Sequence, residues 1–173
     1  INRATTQTTL GKKPKNKPFF AYFKLSSLRA SEFKLTPEEP RQALSNLLED
    51  DELHDPQDAP VPIFVPATPL FRERMALFYD AITNMDKQVG ELLGKLQQHG
   101  LTENTIVVFW GDHGAGYPRG KIHAYDDGLH IPLIMKFPEK YRQLAPAAPG
   151  TVVDDLVMHM DLAPTILQLA GIP

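Results

Sequence analysis

Asp112 and His113 are the residues of this chain whose types and spacing most directly suggest chemistry. They stand side by side in Gly111-Asp-His-Gly114, immediately after the uninterrupted apolar run Thr105-Ile-Val-Val-Phe-Trp110. An anionic oxygen and an imidazole at adjacent positions can ligate one divalent cation while a strand fixes their direction. The flanking Gly111 and Gly114 would let the backbone approach a ligand closely or take an unusual turn. Read alone, Asp-His-Gly fits a capped turn as well as it fits a metal site.

The elements around this turn read as an α/β unit. Phe71, Met75, Phe78, Ile82, Met85, Val89, Leu92 and Leu96 recur at spacings of four and three, so they share one face of a helix. Thr68 and Pro69 mark its start and Gly100 its end. The apolar stripe is expected to pack on a sheet, and His99 in the last turn suits the helix dipole without a catalytic role. A short loop, residues 101–104, leads into the strand Thr105–Trp110, whose lack of polar alternation predicts cover on both faces. Ile131–Phe137 is a second strand with Pro132 near its beginning, where a missing donor is tolerable. The connection between them, 111–130, is too polar and Gly-rich to be core.

Earlier in the chain, Phe19–Leu25 reads as a buried strand, and Ser26–Ser31 would lie at a carboxyl edge if that strand runs parallel to the one ending at Trp110. Residues 36–70 read as a long loop with a short helix near Pro40–Leu48 and an extended strap, Val61-Pro-Ile-Phe-Val-Pro66. Towards the end, Asp161 is expected to cap a last helix through Leu169, stopped at Gly171, with Pro164 in its first turn. His159 and the Asp154-Asp155 pair before it read as structural or solvent-facing.

Composition narrows the function classes. The chain has 173 residues, 42% hydrophobic and 23% charged, an ordinary globular balance for one domain or a piece of a larger one. A net charge of -3 does not suggest a nucleic-acid binder. With no cysteine, disulfides, thiolate metal sites and a cysteine nucleophile are excluded within these residues. No apolar run is long enough for a membrane span, and residues 1–17 read as a solvated, Lys-containing linker. The chain opens on Ile1, and the expectation is that a true N-terminus lies upstream. The acids Glu49–Glu52 with Asp55 and Asp58 are expected to face solvent rather than bind calcium.

The order TIVVFWGDHG, then PRGK, then YDDGLHIPLI, then MDLAPTILQLAGIP resembles the carboxyl-terminal part of the catalytic domain of a sulfatase, in the alkaline-phosphatase-like superfamily. KPFFAYFKL, VPIFVPATP and YDAITNMDKQVGELLGKL also resemble sulfatase segments, and the strap is similar to that of glycan-acting, heparan N-sulfatase-like members. The resemblance implies an α/β sandwich with a mostly parallel central sheet flanked by helices, of which residues 1–173 are a partial catalytic domain. It also implies hydrolysis of sulfate esters or sulfamates, a sulfated small molecule or glycan as partner, and a periplasmic, secreted or lysosomal setting. Oligomeric state is not implied.

By the same resemblance Asp112 is a metal ligand, His113 fills the neighbouring ligand position, often asparagine, and Lys121 contacts the sulfate. A lysine held there supplies a point charge where the departing ester oxygen becomes negative. Calcium is the metal implied, and histidine as a ligand opens manganese or zinc. Arg119, His123 and His130 are expected to be structural or peripheral. The family's nucleophile, a formylglycine made from Cys/Ser-x-Pro-x-Arg, has no counterpart in these residues, nor do its amino-terminal paired aspartates. A Thr-His pair expected after Leu25 reads Ser27-Leu28. Two alternatives follow: a phosphodiesterase or phosphonate hydrolase of the superfamily, suggested by His113, and a non-catalytic sulfatase-like glycan binder, suggested by Leu28 and the missing nucleophile.

Overall fold

The computed structural model describes residues 17–25, 44 and 46–172. The lead-in, Ser26–Ser31 with Leu28, and most of the helix expected near Pro40–Leu48 lie outside the described residues. The dominant element is α1 (Pro69–Gln98), with Pro69 at its first position and Thr68 as N-cap, whose Oγ accepts the Phe71 N–H at 3.3 Å. The helix ends as expected, at Gly100 with φ 63°.

Which face α1 buries differs from the expected stripe. Met75, Ala76, Leu77, Asp80, Ala81 and Asn84 are buried, while Phe71 and Phe78 are half-buried and Ile82 is exposed. The cause is the segment before the helix, which folds back over its first half. Leu44 packs with Leu77 and Ala81; Ala59 packs with Met75 and Ala76, flanked by Val61, Phe71, Phe78, Tyr79 and Tyr117. At the centre of this face Asp80 is almost fully buried, and its Oδ1 accepts the His54 backbone N–H at 2.8 Å and the His54 Nδ1 at 2.9 Å. Hydrophobic periodicity reads an aspartate as solvated, so it pointed to the neighbouring stripe.

The last third of α1 faces the sheet across an open gap of about 290 Å³, lined by Gly90, Leu93, Gly94, Thr102, Val107 and Lys136 among others. Strands β1 (Val107–Trp110) and β2 (Leu133–Lys136) pair antiparallel, Val107 opposite Lys136 and Trp110 opposite Leu133. The Gly111 N–H extends the ladder to the Pro132 carbonyl at 3.0 Å. The expected mostly parallel pairing is not seen among the described residues, because the chain leaving β1 folds into a compact loop and returns beside it without a crossover helix. Cover on both faces is not seen either: all four β1 residues are half-buried, and Ile134 of β2 is 61% exposed.

Phe19–Leu25 is not a sheet strand in the structure. Its even-numbered residues, Phe20, Tyr22 and Lys24, are exposed and its odd-numbered ones half-buried, with the Tyr22 ring 5.9 Å from that of Trp110. After β2 a 3-10 segment, residues 139–144, is fastened to the α1–β1 connection: Lys140 Nζ and the Tyr141 hydroxyl both donate to Asn104 Oδ1. The helix α3 (His159–Leu169) follows; α2 (Asp126–Leu129) is a single turn inside the loop. Asp161 is not the cap residue of α3 but sits in its first turn, where its Oδ2 accepts the Met158 N–H at 2.8 Å. Pro164 lies beyond the first turn, inside α3. No helix among the described residues is long and apolar enough to cross a membrane.

Candidate active site

Leaving β1, the chain enters a loop, residues 111–130, held together by backbone approaching backbone. The Lys121 N–H donates to the Ala115 carbonyl at 2.7 Å, the Gly120 N–H to Tyr117 and the His123 N–H to Gly120, both at 3.1 Å. These approaches require glycine. A Cβ on Gly114 would overlap the Asp127 carbonyl oxygen and lie 2.7 Å from the Gly128 Cα, and one on Gly120 would overlap the Ala115 carbonyl oxygen. Gly111, by contrast, has ordinary room for a side chain, its nearest neighbour being Pro132 at 3.5 Å. Gly114 is thus the flanking glycine with a steric reason.

At the mouth of this loop Asp112 and His113 face each other. His113 Nδ1 lies 2.8 Å from the Gly114 carbonyl oxygen, which can only accept, so Nδ1 carries a proton, and in the neutral ring the lone pair is then on Nε2. That Nε2 stands 3.7 Å from Asp112 Oδ2, a separation that two ligands of one cation can adopt. The Asp112 side chain is 83% exposed. Among the described residues no cluster of three or more His, Cys, Asp or Glu stands together as a metal cage.

Lys121 is exposed on the same loop, its backbone pinned to Ala115, two residues beyond His113. On either side of it the backbone is left-handed at non-glycine residues, Arg119 at φ 68° and Ile122 at φ 67°. For a β-branched residue such as Ile122 this is an uncommon conformation, and strain of that kind gathers at functional loops. Arg119 packs over two rings, its Cζ 4.5 Å from the Phe64 centroid and 5.1 Å from that of Tyr125. His123 lies against Tyr125, and His130 stands 3.8 Å from Asp126, both on the surface.

Contacts from distant parts of the chain fix the loop. The Tyr117 ring meets Phe78 of α1 edge-on at 5.6 Å, and its phenol is pushed up from the ordinary value, first by burial, then by the nearby Asp127 and Tyr79. His159, at the start of α3, lies with Nε2 2.8 Å from the Gly111 carbonyl oxygen, directly before Asp112. Sequence reasoning set His159 aside as structural or solvent-facing, and gave no role to Tyr117 or Phe64. Nothing local marks a contact made 48 residues away. Asp154 and Asp155 are exposed, as expected, and Glu52 of the acidic cluster pairs with Lys87 at 2.7 Å.

A strand ending in an Asp-His pair, followed by a glycine-locked loop carrying a lysine, is the order the sulfatase resemblance requires. A model of that family matches residues 2–172. The chain belongs to the sulfatase family. An ulvan-active sulfatase of Formosa agariphila is 40% identical to it over 111 residues, 64% of this chain and 18% of that protein. Human N-sulphoglucosamine sulphohydrolase is 38% identical over 120 residues, 69% of this sulfatase chain and 23% of the human protein. An endo-4-O-sulfatase of Bacteroides thetaiotaomicron is 31% identical over 106 residues, 58% of the chain and 19% of that protein. The matched stretches therefore span between 18% and 23% of these curated relatives. Family membership also gives the sulfatase chain its class, an alkaline-phosphatase-like α/β fold.

Proposed function

We propose that this chain carries one side of the active site of a metal-dependent sulfatase acting on sulfated glycans, with Asp112 and His113 on the metal and Lys121 on the sulfate. The observation that supports it most is the tautomer of His113: the Gly114 carbonyl takes the Nδ1 proton and leaves Nε2 as a donor atom beside Asp112 Oδ2. An accessible carboxylate and an accessible imidazole nitrogen fit a divalent cation, calcium as the family implies, with the nitrogen leaving manganese or zinc open. Such a cation supplies positive charge that draws and polarises sulfate oxygens.

The chain's own residues have three tasks in this reading. Asp112 and His113 hold the metal, the glycine-locked loop fixes their distance from Lys121, and Lys121 offers its ammonium to the ester oxygen as negative charge develops there. The nucleophile, expected as a formylglycine from Cys/Ser-x-Pro-x-Arg, is not among these 173 residues. Its absence supports a chain that does not turn over substrate by itself. In the whole enzyme β1 and β2 would form part of a larger, mostly parallel sheet, and the setting would be periplasmic, secreted or lysosomal. The relatives, an ulvan-active sulfatase, an N-sulphoglucosamine sulphohydrolase and an endo-4-O-sulfatase, support a sulfated glycan as substrate class.

The test is calorimetric titration of residues 1–173 with calcium, manganese and zinc. One of the three should bind, the ranking identifying the metal, and Asp112→Ala or His113→Ala should each weaken that binding at least about tenfold. Unchanged affinity in either variant sinks the assignment. The nitrogen ligand also favours a second reading, a phosphodiesterase of the same superfamily. Rates on aryl sulfate and aryl phosphodiester substrates, measured in a protein that includes a nucleophile, separate the two.

A further inference from the structure

Two residues before Lys121 stands a cation to which the proposed reaction gives no task. Arg119 sits within cation–π distance of both Phe64 and Tyr125, from the strap and from the far side of the loop. Rings engage a guanidinium through its π surface and accept none of its N–H groups in plane, so the fork of five donors remains available. Among the described residues no carboxylate pairs with it.

The backbone adds a second indication. Arg119 is left-handed at φ 68°, a conformation glycine takes without cost and arginine does not. If the turn alone were the requirement, glycine would serve it better. An arginine held there against the local preference, with its side chain braced by two rings, is a positioned group rather than a solvated one. The bracing Tyr125 is 53% exposed, and Ile122 of the same loop is 89% exposed, so the loop carries uncovered apolar surface as well as the cation. Cation, aromatic and aliphatic surface in one patch suits an anionic sugar, which has charged substituents on an otherwise C–H-lined ring.

We propose that Arg119, braced by Phe64 and Tyr125, is a second anion contact beside Lys121, and that the substrate is a glycan carrying a further anionic group near the sulfate removed. The inference rests on the reading of Lys121 as the sulfate contact. Two residues of chain separate the Cα atoms of Arg119 and Lys121 by no more than about 7 Å, so both cations can engage substituents of one sugar or of its neighbour. The anion is a carboxylate, as on a uronic acid, or a second sulfate; both accept two parallel N–H bonds from a guanidinium.

Binding to the protein is measured with four probes: inorganic sulfate, a monosulfated disaccharide containing a uronate, the same disaccharide with its carboxyl reduced to an alcohol, and a disulfated disaccharide without a carboxylate. The variants are Arg119→Gly, which suits the left-handed backbone, Arg119→Lys, which keeps charge but loses the fork, and Lys121→Ala. Arg119→Gly should weaken the uronate or the disulfated probe at least about tenfold while leaving inorganic sulfate within about twofold, with Arg119→Lys intermediate. Loss confined to the uronate probe, with the reduced probe unaffected, identifies a carboxylate; loss confined to the disulfated probe identifies a sulfate. Equal affinity of wild type and Arg119→Gly for both dianionic probes overturns the second contact, and so does an equal loss on inorganic sulfate. If Lys121→Ala binds inorganic sulfate as wild type does, the reading of Lys121 falls, and this proposal with it. Failure of the wild-type protein to bind any probe overturns both.

Discussion

The proton on His113 is decided by one carbonyl. Because Gly114 O accepts from Nδ1, the ring turns Nε2 towards Asp112, and a side chain that would otherwise choose between tautomers has one. Behind the same turn His159 contacts the Gly111 carbonyl, holding the backbone from which Asp112 projects. If the proposed metal site is right, His159→Ala should weaken divalent-cation binding about tenfold through the backbone alone, and His159→Gln, which keeps a donor, should restore part of it. A titration showing the same affinity in His159→Ala and wild type would remove this positioning role. The position of Asp112 and His113 at the end of a strand was legible in the sequence because Gly-Asp-His-Gly breaks an apolar run. His159 was not, since its partner is a main-chain oxygen far away in the chain.

The loop between β1 and β2 owes its shape to glycines at points of backbone contact and to Tyr117, which docks it on α1. Burial raises the Tyr117 pKa above the ordinary phenol value, so the folded state holds that proton more tightly than the unfolded chain does. The associated stability is fully present below the unfolded value of about 10 and is lost as pH rises through the higher folded value. Thermal unfolding between pH 8 and 11, run on wild type and Tyr117→Phe, should show a steeper alkaline fall in the wild type (the pH range follows the phenol reference value of about 10). In α1, Asp80 anchors the His54 segment through two hydrogen bonds. Asp80→Ala should cost about 1–3 kcal/mol in urea unfolding, by leaving the His54 N–H without its acceptor, and Asp80→Asn should cost less. The helix itself, with Thr68, Pro69 and Gly100, was readable from caps and period. Its buried face was not, because the covering segment brings a histidine that makes a buried aspartate acceptable, and pairing of that kind leaves no periodic trace.

Across the described residues the core is small, two clusters on the first half of α1, while apolar side chains stand open elsewhere. Ile134, Val152, Leu156 and Met160 are all more than half exposed, and β1 lacks full cover on either face. Uncovered apolar surface of this extent is uncommon on a stable monomer. Residues 1–173 produced alone should bind 8-anilinonaphthalene-1-sulfonate with strong fluorescence enhancement and self-associate in sedimentation experiments; a monomer that leaves the dye dark would contradict the exposed surface. The α/β alternation and the two strands were visible in the sequence. Strand direction and cover were not, because an all-apolar strand specifies that it will be buried and leaves open which neighbour does it.

The contact of His159 with Gly111 has a consequence in time. A ribosome adds roughly 5–20 residues per second, so the 48 residues between these partners take a few seconds to make. During that interval β1, its turn and the loop have all been synthesised, but nothing from α3 yet braces the backbone in front of Asp112. The turn that carries Asp112 and His113 is thus braced late in biosynthesis, after β1 and its loop have already been made.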